Sequence, residues 1–527
     1  MKKLFSILFI FGLLLGSDQV QTELPIGLTE EEKTRIHEIY TMGRQTDPPP
    51  GPIRNIAEYE RMEGVLIRYP FGISTALIAE MSENATIYCL VSSSQQSSAN
   101  SSMSNGGVNM DNVQYVLGST DSYWTRDYGP WWVVDGDRNV SVVDHTYNRP
   151  RPNDNQAPQK MANHLGAPYF ASDIVHAGGN YMTDGLGIGA SSDLVYDENS
   201  MSEAQVDQLM EDYYGIETYH AIPDPNNTYI DHIDCWGKYL SPTKVLIREV
   251  PSSHAQYDEI EATANYFATS TNEWGEPWEL FRVWTPNNQP YTNSLILNEK
   301  VLVPITGSSW DDGALDSYEE AMPGYEVIGF TGSWESTDAL HCRIKGIPDL
   351  EMLQLFHNPI NDSTEAIESG YPVEILIDDL SDEGLFEDSI KLFWKTPEMN
   401  DWQIEPLVSS DVPEEPDTWS GWIPSQGAEG VIQYFIQTAD SSGRIENSPL
   451  AGWHEFLALP PNTCLEWDLG DMNNSGDLEI IDILLLADYV STGYSPGACP
   501  QTVADVNQDN NLNIIDVIYL VNLVLRP

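Results

Sequence analysis

The strongest constraint on how this chain folds is a rhythm that recurs over residues 54–358: a strand hairpin, a helix and another strand. Hairpin patterns begin near Trp131 (WWVVDGDRNVSVVDH), Gly178 (GGNYMTDGLGIGASS), Cys235 (CWGKYLSPTKVLIREV) and Asn293 (NSLILNEKVLVPIT). Each joins two apolar runs through turn residues, the local signature of a hairpin. Helical stretches follow over 159–165, 202–214, 257–268 and 313–321, then strands such as SDIVHA, IETYHAI, ELFRVW and YEVIGF, and a partial copy precedes them over 64–92. No unit of this size buries its apolar faces alone. About five of them therefore predict an α/β ring of repeats closed around a central site.

Composition bounds the partners. With 24 Lys plus Arg against 81 Asp plus Glu, the formal charge is −57, and such a surface repels phosphate. Nucleic acid is excluded as a partner. The ends of the chain read differently from the ring. Lys2 and Lys3 precede an apolar run over 4–15 that closes in small residues. This predicts a signal peptide over 1–17, an N-terminal extension over 18–53 and a secreted or cell-surface protein. No later stretch is long enough for a membrane span.

At the C-terminal end, DMNNSGDLEIID (471–482) recurs as DVNQDNNLNIID (505–516), 34 residues on. Oxygen-bearing side chains alternate as in an EF-hand-like loop, with Gly476 at the tight turn and Asn510 in its place in the second copy. The candidate ligands are Asp471, Asn473, Ser475, Asp477 and Asp482, then Asp505, Asn507, Asp509, Asn511 and Asp516. Each loop runs into an apolar helix. The pair resembles a type I dockerin module over 461–527, which implies two Ca2+ ions and a cohesin-bearing scaffold as partner. Cys464 and Cys499 bracket the first repeat and are expected to pair, although sequence alone does not prove the connectivity. Between ring and module, 359–460 carries short alternating segments (VEILIDDL, SIKLFWKT, VIQYFIQTAD, HEFLALP), read as an all-β immunoglobulin-like sandwich without a reactive set.

Reactive residues cluster in four segments of the ring: STDSYWTRDYGPWW, YIDHIDCWGKYL, PYTNSLILN and STDALHCRIKGIPD. His232 and Asp234, two apart, share a face if that segment is a strand. Asp127 stands beside Trp124, and Cys342 follows His341 near the end of the ring. Together they offer a thiolate, a general acid and base, and anchors for a cation. These segments resemble the bacterial, Porphyromonas-type peptidylarginine deiminases of the guanidine-modifying, or pentein, superfamily, whose fold is a five-bladed α/β propeller. The resemblance implies Cys342 as nucleophile, His232 as acid and base, Asp127 and Asp234 as guanidinium anchors, and Asn293 as an active-site amide. It further implies that Trp124 and Tyr229 line the substrate channel, that Arg149 and Arg151 of YNRPRPND bind the α-carboxylate of a C-terminal arginine, and that catalysis needs no cofactor. The expected substrates are peptides or proteins carrying arginine. Cys235 and Cys89 read as buried core thiols, with Cys235 pointing away from Asp234; His341 reads as structural and His176 is unassigned. Two rivals stand beside this reading. One is agmatine deiminase, with the same chemistry on decarboxylated arginine in putrescine synthesis; the other is a catalytically silent, dockerin-borne binding protein.

Overall fold

The computed structural model describes residues 23–360, 363–367, 370–410, 417–460, 468–473, 475–493, 503–509 and 511–525. The predicted signal peptide and the Cys464–Cys499 pair lie outside the described residues. Two compact units divide between Glu351 and Met352. The sequence placed this boundary at 358/359. It falls earlier because the strand Leu353–Phe356 pairs with Gly370–Asp379 of the second unit.

The first unit holds five small mixed sheets. Four of them begin with an antiparallel hairpin, cross through a helix and end on a parallel strand. In one, Trp131–Val134 and Val140–Tyr147 form the hairpin, Ala157–Leu165 the helix and Tyr169–His176 the parallel strand. The other three use Glu203–Tyr214, Tyr257–Thr269 and Asp311–Ala321 as crossovers, within a residue or two of the sequence expectation. The fifth takes its strands from both ends of the unit: Lys345–Pro348 lies antiparallel to Met62–Arg68, which continues in parallel to Thr86–Val91 and Val113–Leu117.

The crossover Glu203–Tyr214 illustrates why these segments fold as they do. Ser202 and Gln205 close a capping box, satisfying backbone N–H groups that the first turn leaves free. Val206, Met210, Tyr213 and Tyr214 repeat at helical spacing and pack on Trp131, Val133, Val143 and Ile174. Each such buried side chain contributes about 1.5–3 kcal/mol. Gly215 ends the helix at φ +66°, and a Cβ there would lie 2.1 Å from the Ile53 carbonyl oxygen, so no other residue fits.

In the second unit, strands of two sheets share one core that includes Tyr371, Val373, Ile375, Leu392, Trp394, Ile432 and Tyr434. Alternation of buried and exposed residues along Gly370–Asp379 and Gly430–Ala439 is the pattern of sheets with one face buried. Further on, helices Ile480–Thr492 and Ile514–Val524 enclose a small core of Met472, Leu486, Val506, Val517 and Leu520. Among the described residues, no helix is long and apolar enough to cross a membrane.

Candidate active site

Four short irregular segments of the first unit bring the predicted reactive residues together. Asp127 sits on the single helical turn Thr125–Tyr128, whose carbonyl at Asp127 is fixed by His145 Nε2 at 2.9 Å. His232 is extended and immediately precedes the 3-10 turn Ile233–Cys235, which carries Asp234. Asn293 lies just ahead of the strand Leu295–Leu297, and Cys342 occupies the 3-10 turn His341–Arg343. The His-Ile-Asp spacing therefore works through a turn, not a strand. In consequence Cys235 does not point away: its Sγ lies 3.6 Å from Asp234 Oδ1.

Asn293 is the hub of the nucleophile's turn. Its Oδ1 accepts from the backbone N–H of Ala339 at 3.1 Å and of Cys342 at 3.4 Å, while its Nδ2 lies 3.3 Å from the thiol. Cys342 Sγ is also 3.5 Å from Asp234 Oδ2, and His232 Nδ1 is 3.7 Å from Asp127 Oδ1. Between these groups runs the backbone of Gly179, whose N–H donates to Asp127 Oδ1 at 3.2 Å. A Cβ on Gly179 would stand 2.6 Å from Asp127 Oδ1, 2.8 Å from His232 Nδ1 and 3.2 Å from Asp234 Oδ2. Only glycine fits among the three. Sequence reasoning passed over it, although HAGGN, with its paired glycines, marked the place. His176 of that segment is structural: it is buried, and its Nε2 meets the Tyr219 hydroxyl at 3.2 Å.

Charge is finely balanced here because the reacting groups are buried. Cys342, His232 and Asp127 are each 0% exposed. Burial pushes the Cys342 thiol well up, and Asp234, Asp338 and Asp127 push it further. The same burial lowers His232 to about 4, with Asp234 opposing and Arg149 assisting. Asp127 is held well above the carboxylate range by burial and by its neighbour Asp234. Asp234 alone stays low: burial would raise it, but His341 overcomes this by hydrogen bond and charge. The resting centre thus pairs a neutral thiol with a neutral imidazole, beside one ionised carboxylate. A planar cation bound between Asp127 and Asp234 would add positive charge, favouring ionised Asp127 and the thiolate.

His341 is not merely structural. Its Nδ1 lies 2.8 Å from Asp234 Oδ2 and its Nε2 2.6 Å from Glu58 Oε2, so the ring bridges two carboxylates, while burial and the Arg126 charge lower its pKa. Glu58 in turn pairs with Lys238 and Arg126, each at 2.8 Å. This buried chain fixes the orientation of Asp234. It borders a cavity of about 60 Å³ lined also by Lys345 and Asn55, to which Cys342, His232 and Asp127 do not contribute. Nothing in the spacing of Glu58, so far from Cys342, signals the contact.

The predicted channel residues separate. Trp124 is buried under the Arg343 guanidinium, 5.3 Å from its ring, whereas Tyr229 is 67% exposed. Arg149 lies close enough to oppose protonation of His232 and to favour ionisation of Asp127. Arg151 does not act with it as a free pair: its Nε donates to Glu32 Oε1 at 2.7 Å, which neutralises it.

A buried thiol beside an imidazole and two carboxylates is the residue set of a thiol hydrolase acting on a cationic group. Residues 72–348, more than half of the chain, match the family of Porphyromonas-type peptidyl-arginine deiminases, and the chain belongs to that family. It is a deiminase, an enzyme that hydrolyses C–N bonds of amidine-type groups. Residues 469–525 match the type I dockerin domain, a calcium-binding type. The agmatine deiminase of Medicago truncatula is 23% identical over 292 residues, covering 44% of this chain and 77% of that protein. The solved agmatine deiminase of Enterococcus faecalis shares the fold at TM-score 0.51 and 17% identity, over 58% of this chain and 99% of that one.

Proposed function

We propose that this protein is a secreted peptidylarginine deiminase that converts arginine, preferably at a peptide's C-terminus, to citrulline and ammonia. The observation that carries the reading is the convergence of Cys342, His232, Asp127, Asp234 and Asn293 around Gly179. Asp127 and Asp234 take the guanidinium N–H groups and leave the central carbon facing the thiol. Cys342 attacks that carbon while His232 accepts the thiol proton. His232 then delivers this proton to a terminal nitrogen of the tetrahedral adduct, the C–N bond breaks, and ammonia departs. The thiouronium that remains is attacked by water, whose proton passes to His232. Collapse of this second adduct returns the sulfur as thiolate, which recovers the proton as citrulline leaves. The five sheets, with the last strand paired to the first sheet, support the five-bladed propeller.

For the C-terminal preference, the support is chemical: Arg149 lies near the centre, and Arg151 already accommodates a carboxylate in Glu32. Agmatine deiminase is the second reading, favoured by the relatives just described. The discriminating experiment measures citrulline or carbamoyl product from one peptide ending in arginine, its amide, free arginine and agmatine. A preference of about 30-fold or more for the free carboxylate is expected, from the cost of an unpaired buried charge. Agmatine as the best substrate would overturn it.

In the C-terminal module, Asp471, Asn473, Ser475, Asp477 and Asp482, with Asp505, Asn507, Asp509, Asn511 and Asp516, would hold two Ca2+ ions, which when bound neutralise the clustered carboxylates. The donor set fits: Gly476 takes φ +85°, and the Asp471 carboxylate accepts from the N–H groups of Ser475 and Gly476 at 3.1 and 2.8 Å, so the loop is already wrapped. Ile480, Ile481 and Leu484 are exposed on one helix, and Ile514, Ile515 and Ile518 on the other. This repeated apolar face suits a cohesin partner on a scaffold.

A further inference from the structure

The substrate mouth is already occupied by the chain itself. Residues 23–32 lie across all four side chains assigned to the channel. The Leu24 carbonyl accepts from Trp124 Nε1 at 3.0 Å and the Ile26 carbonyl from Arg149 Nε at 3.0 Å. Arg151 Nη2 donates to the carbonyls of Pro25 at 2.7 Å and Gly27 at 3.1 Å. Gly27 passes so close to Tyr229 that a Cβ would lie 2.5 Å from the ring. Ile26 is buried, Glu23 pairs with Arg68, and Glu32 pairs with Arg151.

We propose that residues 23–32 are an internal ligand of the substrate groove, and that the enzyme is latent until this segment is displaced or cut. The inference rests on the proposed channel. Its logic is competition: the Glu32 carboxylate stands on Arg151 where the substrate's carboxylate would bind, and three backbone carbonyls take the donors of Arg149 and Arg151. Glu32 is held ionised for this role. Burial alone would raise its pKa, but hydrogen bonds from Arg151 and Thr29 hold it below the ordinary value. A capping box with Thr29 fixes the carboxylate in place. The nucleophile, the imidazole and Asp127 have no exposed surface, and the segment holds the Arg149 and Arg151 donors that an entering peptide would need. The hold is also reversible in kind: one buried apolar side chain, two ion pairs and a few hydrogen bonds, flanked by the exposed Glu30, Glu31 and Lys33. The groove accordingly fits an extended peptide with a small residue against Tyr229, an apolar residue at the Ile26 position and a carboxylate on Arg151.

The test uses the full chain and two variants, Glu32→Gln, which keeps shape and removes charge, and Ile26→Glu, which buries a charge under the segment. Two readouts are taken: kcat/KM on a peptide ending in arginine, and the rate at which 2-chloroacetamidine, a small cationic alkylator, modifies Cys342, located by mass spectrometry. If the open form is a tenth of the population or less, both variants should rise about tenfold or more in both readouts. A synthetic peptide of residues 23–32 should inhibit the Ile26→Glu variant competitively. Faster labelling without turnover of any arginine peptide would uphold the internal ligand and sink the substrate reading instead. Equal labelling and equal kcat/KM in wild type and both variants would overturn the proposal.

Discussion

In the reactive centre, Cys342 meets an Asp234 that lies 108 residues earlier in the chain, and every member of the set is buried. In the C-terminal loops, Asp482 accepts from the N–H of Met472, ten residues earlier, and Asp516 from that of Asn507, nine earlier. Both regions crowd carboxylates together. The first does so by burial in a folded scaffold, which raises the pKa of Asp127. The second does so by local chain geometry, which a metal ion can neutralise directly. The difference predicts that the centre tolerates almost no change in shape, whereas the loops answer to an ion in solution.

Removing the nucleophile tests the centre most severely. Cys342→Ala should lower ammonia release by about a thousandfold or more while the circular-dichroism spectrum stays unchanged; near-native turnover would move the chemistry elsewhere. Nearly as large is the effect expected of Gly179→Ala, whose single methyl must displace Asp127 and His232. Turnover should drop about a hundredfold, and a variant within threefold of wild type would show that the centre is looser than its geometry. A pH profile probes the same burial. Because His232 is lowered to about 4, it remains a neutral base as pH falls through the ordinary histidine range, so kcat/KM should stay level from about pH 8 to 5 and bend down only near 4. A limb near 6.5 would mean that His232 is solvated in the free enzyme. Glu58→Gln should cost about tenfold in kcat/KM, since His341 would orient Asp234 less firmly; an unchanged value would reduce Glu58 to packing. Chelation sits at the small end. It should melt the helices Ile480–Thr492 and Ile514–Val524 in hydrogen exchange and change deiminase activity by less than about twofold. Strict calcium dependence of turnover would erase the contrast between the regions.

How much the sequence revealed follows the same division. The dockerin repeat was legible because its acidic positions are neighbours in the chain, and the crossover helices because their apolar spacing is local. The four catalytic segments were legible as motifs. Their geometry was not: His232 and Asp234 alternate like strand residues, yet the segment turns into a 3-10 helix that brings Cys235 to the site. Partnerships such as Glu58 with His341, or Glu32 with Arg151, join residues 283 and 119 apart, and no spacing rule reaches that far. A joint role of Arg149 and Arg151 on one substrate carboxylate was what the family resemblance implied. The structure instead gives Arg151 its own counter-ion.

The pairing of Lys345–Pro348 with Met62–Arg68 has a temporal meaning. Cys342 precedes that last strand by only a few residues, so the thiol arrives with the piece of chain that fastens the unit's two ends. A chain interrupted before this point carries Asp127, His232, Asp234 and Asn293 without the group that reacts. Deiminase chemistry at the proposed thiol is thereby tied to completion of the unit. A half-made chain lacks the sulfur on which the proposed reaction depends.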